Sequence, residues 1–130
     1  MSHIGESIAR LADLARLKSD LEMRRFAAYR AHVEAARARI TTLTEELQAL
    51  YDSEAAHSLS GARLANALAG DRSRALGRAE VELEQMMPGY QAARGAALRE
   101  FGRVQALEDL HARETDARRL KVQRKQSDGT

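Results

Sequence analysis

Residues 26–50 read FAAYRAHVEAARARITTLTEELQAL, and this stretch decides the fold. Phe26, Val33, Ile40 and Leu47 recur every seven residues, and Tyr29, Ala36, Leu43 and Leu50 each follow three later. Four heptads with apolar a and d positions are the seam of a left-handed coiled coil, because a helix brings such residues onto one stripe. Arg30, Glu34, Arg37, Arg39, Glu45 and Glu46 keep the other faces wet. Apolar and polar residues do not alternate over any sustained run, which excludes strands.

Upstream, the apolar residues are Ile8, Leu11, Leu14, Leu17 and Leu21, whereas the heptad continued backwards lands on Ser19 and Glu22. That mismatch predicts a stutter near Met23 to Phe26, which would unwind a supercoil locally. A first helix is expected over about 5–56. Ser58, Ser60 and Gly61 then read as a turn, followed by a short helical piece through Leu64 and Leu68. Gly70 suits a helix C′ position and Asp71 an N-cap, so residues 57–71 are the expected tip.

A second helix is expected over about 72–123, with a tail over 124–130. Its seam is Leu76, Leu83, Tyr90, Ala97 and Val104, supported by Ala79, Met86, Ala93, Phe101 and Leu107. Beyond these, His111 and Arg118 are polar and the stripe fades. Pro88 is costly inside a helix, at ~3 kcal/mol. The seam keeps its phase from Leu83 to Tyr90, which favours a kinked continuous helix over a break. Alanine-rich patches lie at Ala27, Ala28, Ala31, Ala35 and Ala36 and at Ala92, Ala93, Gly95, Ala96 and Ala97. Set opposite one another, they give facing residue numbers that add to about 127, with a turn midpoint near residue 63. The expected fold is all-α: one domain over 1–130, a long two-helix antiparallel coiled-coil hairpin.

Composition agrees with this. The 130 residues are 44% apolar and 31% charged, with 4% aromatic and no Trp, so leucine and alanine carry the apolar content. That mixture fills a narrow seam better than a globular core. Net charge is +2, too balanced to argue for nucleic acid, although His111 to Lys125 is basic through Arg113, Arg118, Arg119, Lys121, Arg124 and Lys125. No aromatics interleave with that basic run, which counts against single-stranded nucleic acid. The absence of cysteine excludes disulfides and fits a reducing compartment. No apolar run or leader pattern suggests a membrane span or export, so a cytoplasmic chain is expected.

The motifs of catalysis are missing. The chain has no nucleophile elbow, no dinucleotide fingerprint and no phosphate loop. His3, His32, His57 and His111 lack the spacing of a metal site. Glu80, Glu82 and Glu84 diverge around a helix, and Met86 and Met87 read as seam filler at the proline. No catalytic residue, metal, cofactor or small-molecule substrate is expected, and the chain is read as no enzyme.

Three runs carry a family resemblance: LADLARLK (11–18), ITTLTEEL (40–47) and FGRVQALEDL (101–110) with its basic sequel. Together with the layout of two long helices around a short tip, they resemble the FliJ and YscO-like stalk proteins of type III export. The resemblance implies a chain similar in shape to the central stalk of rotary ATPases. Its paired helix ends would enter a hexameric export ATPase (FliI-like) and promote its assembly. The hairpin body would reach the export gate (FlhA-like), and other export chaperones are implied partners. The location implied is cytoplasmic, peripheral to the membrane export apparatus. Candidate partner-binding residues are Leu11, Leu14, Leu17, Leu43, Leu50, Tyr51, Arg113, Arg118, Arg119 and Lys121. Of these, Leu43, Leu50 and Tyr51 fall where the gate would be met. The alternatives are a generic coiled-coil adaptor and, behind it, a basic coiled coil that binds nucleic acid.

Overall fold

In the computed structural model, which describes residues 3–53 and 57–129, the chain forms two helices, α1 (His3–Asp52) and α2 (Leu59–Asp128). Among the described residues there is no strand, and the helices pack against each other as an antiparallel hairpin. No helix of the described residues is long and apolar enough to cross a membrane. The chain divides into two compact units: a terminal unit, Met1–Phe26 with Ala93–Thr130, and a tip unit, Ala27–Ala92.

In the tip unit the expected seam is present. Val33 and Leu43 are buried, and Tyr29, Ala36, Ile40, Leu47 and Leu50 are half-buried beside them. From α2 come Ala65, Ala69 and Ala79, buried, with Leu76, Leu83, Met86 and Tyr90 half-buried. Arg72 Nε donates to Glu46 Oε2 at 2.7 Å across the helices.

The tip differs from the sequence expectation. Ser58 is the N-cap of α2: its Oγ accepts the Gly61 N–H at 3.0 Å, and its carbonyl accepts the Ala62 N–H at 2.7 Å. Such a cap satisfies an amide that otherwise lacks a helical partner. α2 then runs unbroken through Gly61, Gly70 and Asp71, so 57–71 is not a tip with a separate short helix, and helix 2 begins at 59 rather than 72. Gly70 is no C′ residue, because no described glycine has a positive φ. Asp71 pairs with Arg74 instead of capping. One interior glycine costs only ~1 kcal/mol, which the burial of Ala65 and Ala69 outweighs.

At its other end α2 extends to Asp128, through most of the expected tail. It also continues through Pro88, so the proline does not create a third helix. α1 closes with Ser53 Oγ donating to the Leu50 carbonyl at 2.9 Å. Residues 54–56, placed in helix 1 by sequence, lie outside the described residues.

The register is corrected as well. Tyr29 lies against Gly89 and Glu46 against Arg72, and both pairs of numbers add to 118 rather than 127. In the terminal unit Lys18 pairs with Glu100 and Gly5 abuts Glu114, adding to 118 and 119. The alanine patches are therefore not opposite one another. Alanine fits any register, whereas Val33, Leu43 and the tyrosine resting on Gly89 fit only one.

Candidate functional site

The terminal unit departs furthest from expectation. Its α1 seam consists of Gly5, Ala12, Ala15 and Ser19, all buried, with Ile8, Glu22 and Phe26 half-buried. These residues continue the a and d phase of Phe26 and Tyr29 backwards without a break, so the stutter at Met23 to Phe26 is absent. The partner face of α2 is Ala93, Ala97, Glu100 and Val104, buried, then Leu107, His111, Glu114 and Arg118, half-buried. The polar stretch after Val104 thus stays in phase instead of leaving the seam. Phe101, expected in the core, is 53% exposed, because Glu100 holds the d position and one further residue turns ~100° around the helix.

Small seam residues let two helices approach closely. The larger side chains then fall outside. Leu11, Leu14, Leu17 and Leu21 are 52 to 64% exposed, and Ile4 is also exposed. Their spacing of three, three and four residues makes one continuous apolar row.

Beneath that row the seam also carries polar groups. The Glu100 carboxylate lies 3.3 Å from Lys18 Nζ and 3.4 Å from Arg103. Glu114 Oε2 sits 2.7 Å from where a Gly5 Cβ would be and 3.8 Å from Arg118 Nε. Glu22 Oε2, Glu100 Oε2, His111 Nδ1 and Glu114 Oε2 are buried with no hydrogen-bond partner among the described residues. Glu100 Oε2 and Glu114 Oε2 keep the ion pairs with Arg103 and Arg118, whereas a buried polar atom with neither kind of partner costs about 1–3 kcal/mol. On one flank, Arg16 Nε donates to Glu108 Oε1 at 3.1 Å.

The candidate residues sort by this geometry. Leu11, Leu14 and Leu17 face outward, available to a partner. Arg113, Arg119 and Lys121 are exposed, while Arg118 is half-buried beside Glu114. Leu43 is buried and Leu50 half-buried in the tip-unit seam, so of the three proposed gate-facing residues only Tyr51 points out, at 62% exposure. Sequence reasoning missed Ile4 and Leu21 as members of the outward row. The signal was present: Gly5, Ala12 and Ser19, with Ile8, Ala15 and Glu22, hold the heptad that excludes them.

The remaining chemistry is plain. His3, His32 and His57 are exposed, as are Glu80, Glu82 and Glu84, and Met86 is half-buried in the seam. No group of three potential ligands that could hold a metal occurs among the described residues. Among the concavities are open surface grooves, one lined by Thr115, Arg118, Arg119 and Val122. No protein-family profile matches this chain, and no curated protein or solved structure matches it either.

Proposed function

We propose that this chain is a non-enzymatic stalk and chaperone of a type III protein export apparatus. In this reading its terminal unit enters a hexameric export ATPase, and its tip unit reaches the export gate. The reading rests on the resemblance carried by residues 11–18, 40–47 and 101–110. The observation that supports it is the terminal unit itself, where an exposed leucine row lies on α1 and exposed Arg113, Arg119 and Lys121 lie on α2. Apolar side chains held on a helix face, with basic groups beside them, suit insertion between ATPase subunits that present apolar and acidic surface. The chain would then act in the cytoplasm, held peripherally at the membrane apparatus by its partners.

The test is to mix the purified chain with a FliI-like ATPase and measure hexamer formation and ATP turnover. The expected result is more hexamer and faster turnover, both reduced by reversing Arg113, Arg119 and Lys121 to Glu. No binding and no change in hexamer formation would sink this reading. A chain that leaves the ATPase unchanged but captures a helical partner through Leu11 and Leu14 is a coiled-coil adaptor, which the outward leucine row also favours.

A further inference from the structure

The first 25 residues of α1 carry two heptad stripes, not one. The first, Gly5, Ile8, Ala12, Ala15, Ser19 and Glu22, faces α2. The second lies one residue earlier. Ile4, Leu11 and Lys18 recur at seven, and Ser7, Leu14 and Leu21 follow each by three. This stripe is turned ~100° from the seam and is exposed throughout. It holds the bulkier leucines, has no aromatic anchor, and is spaced as knobs for another helix.

We infer that this second stripe pairs with the same stripe of a second copy of the chain, antiparallel, about a two-fold axis between Ala12 and Asp13. The pattern is self-complementary in that register alone. Ile4 meets Leu21 of the other copy and Leu11 meets Leu14, each pair of numbers adding to 25. The polar members obey the same rule, since Ser7 and Lys18 also add to 25. No leucine of the stripe therefore faces a polar stripe residue. Lys18, the one charge in the stripe, already has its ammonium 3.3 Å from the Glu100 carboxylate, so its charge is balanced within its own chain. Leu17 flanks the contact.

An isologous helix pair of this kind is the commonest closed symmetry of soluble chains. Its size sets its strength. Five side chains, each 52 to 67% exposed, offer on the order of 300 Å² of apolar surface per copy. That is the size of a functional patch on a monomer, and two of them, about 600 Å² of apolar surface, fall short of the roughly 1,200 Å² at which stable specific interfaces begin. The pairing is consequently weak and concentration-dependent, with a dissociation constant of about 10–1000 μM. The same leucine row supports the export reading, so pairing with a second copy and insertion into an ATPase exclude one another on one chain; the pairing itself is tested on the purified chain alone.

The test is sedimentation equilibrium of the full chain from about 5 to 1000 μM, a range that brackets the expected constant. The expected result is a monomer–dimer equilibrium that Leu14→Glu with Leu21→Glu weakens by about 100-fold. The control Val81→Glu, exposed and in the tip unit, should leave it unchanged. Because the chain has no cysteine, orientation can be read by cross-linking. An equimolar mixture of Ile4→Cys and Leu21→Cys chains, oxidised with glutathione disulfide, should give mainly the mixed disulfide. A monomer at every concentration, or a dimer indifferent to Leu14→Glu with Leu21→Glu, overturns the inference. Predominant Ile4→Cys homodimers also overturn it, since they mean parallel helices. Helicity by circular dichroism guards against unfolding, and if the double variant loses helix, Leu14→Ala with Leu21→Ala takes its place.

Discussion

Gly89→Ala tests the register at its tightest point. A Cβ at Gly89 would lie 2.8 Å from Tyr29 Cε1, 3.4 Å from Cζ and 3.5 Å from Oη. Ordinary contact needs about 3.5–4.0 Å, so the ring must shift or swing out of the seam. Overpacking of that kind costs about 1–3 kcal/mol. Against it stands the gain of ~1 kcal/mol that alanine brings over glycine in a helix. The difference is a net loss of roughly 0–2 kcal/mol. Urea unfolding followed by the circular dichroism of the helices reads this directly. Tyr29→Ala supplies the internal control: with the ring gone, Gly89→Ala should reverse sign and stabilise by ~1 kcal/mol. If Gly89→Ala stabilises the wild-type chain as well, Tyr29 does not rest there. The register that adds to 118 then fails with it.

Four further outcomes are expected. A methyl group at Gly77 or Gly102 would meet nothing within 4 Å, so changing each to Ala should raise stability by about 0.5–1 kcal/mol in the same urea assay. Ser58→Ala removes the cap of α2 and should cost ~1 kcal/mol, while Ser60→Ala, beyond the cap, should cost little; equal effects would argue that α2 starts elsewhere. Glu100→Leu replaces a buried carboxylate with an apolar group and should stabilise by about 1–2 kcal/mol, Lys18 and Arg103 remaining solvated; a loss of stability would mean that their ion pairs outweigh the burial. Amide hydrogen exchange should be faster at Ala12 to Glu22 than at Val33 to Leu43, because the first stretch packs on small and polar residues; uniform protection would contradict that.

How much of this was legible depended on residue size. Val33, Ile40, Leu43 and Leu47 announce their face because only one phase buries them all, so the helices and the tip-unit seam could be read directly. Register could not, because alanine stripes match one another in any alignment. The tip was misread for a related reason: Ser58 and Gly70 suit turns and helix ends as readily as helix starts and interiors. Tertiary burial of Ala65 and Ala69 settled what local chemistry left open. Phe101 was assigned inward by its size, although Glu100 holds the seam phase. In the terminal unit the same preference for large residues followed the leucines rather than the small seam and turned an unbroken heptad into a stutter. The outward candidates Leu11, Leu14 and Leu17 were found, but Leu43 and Leu50 were offered to a partner while serving the seam.

The terminal unit is therefore built against its own hydrophobic interest. Rotating α1 by one residue there would carry Ile4, Leu11, Leu14 and Leu21 into the seam together with Ser7 and Lys18, and release Ser19 and Glu22 to water together with Ile8. Each leucine so buried would gain roughly 1–2 kcal/mol and the released Glu22 Oε2 would recover about as much, against the cost of drawing the Lys18 ammonium into the seam. The phase of Val33 and Leu43 opposes that rotation, since both sit on a helix that is continuous from His3 to Asp52. Turning the first 25 residues alone would require the helix to over- or underwind by ~100°. The leucine row is left outside as a consequence, its burial energy available only to another molecule.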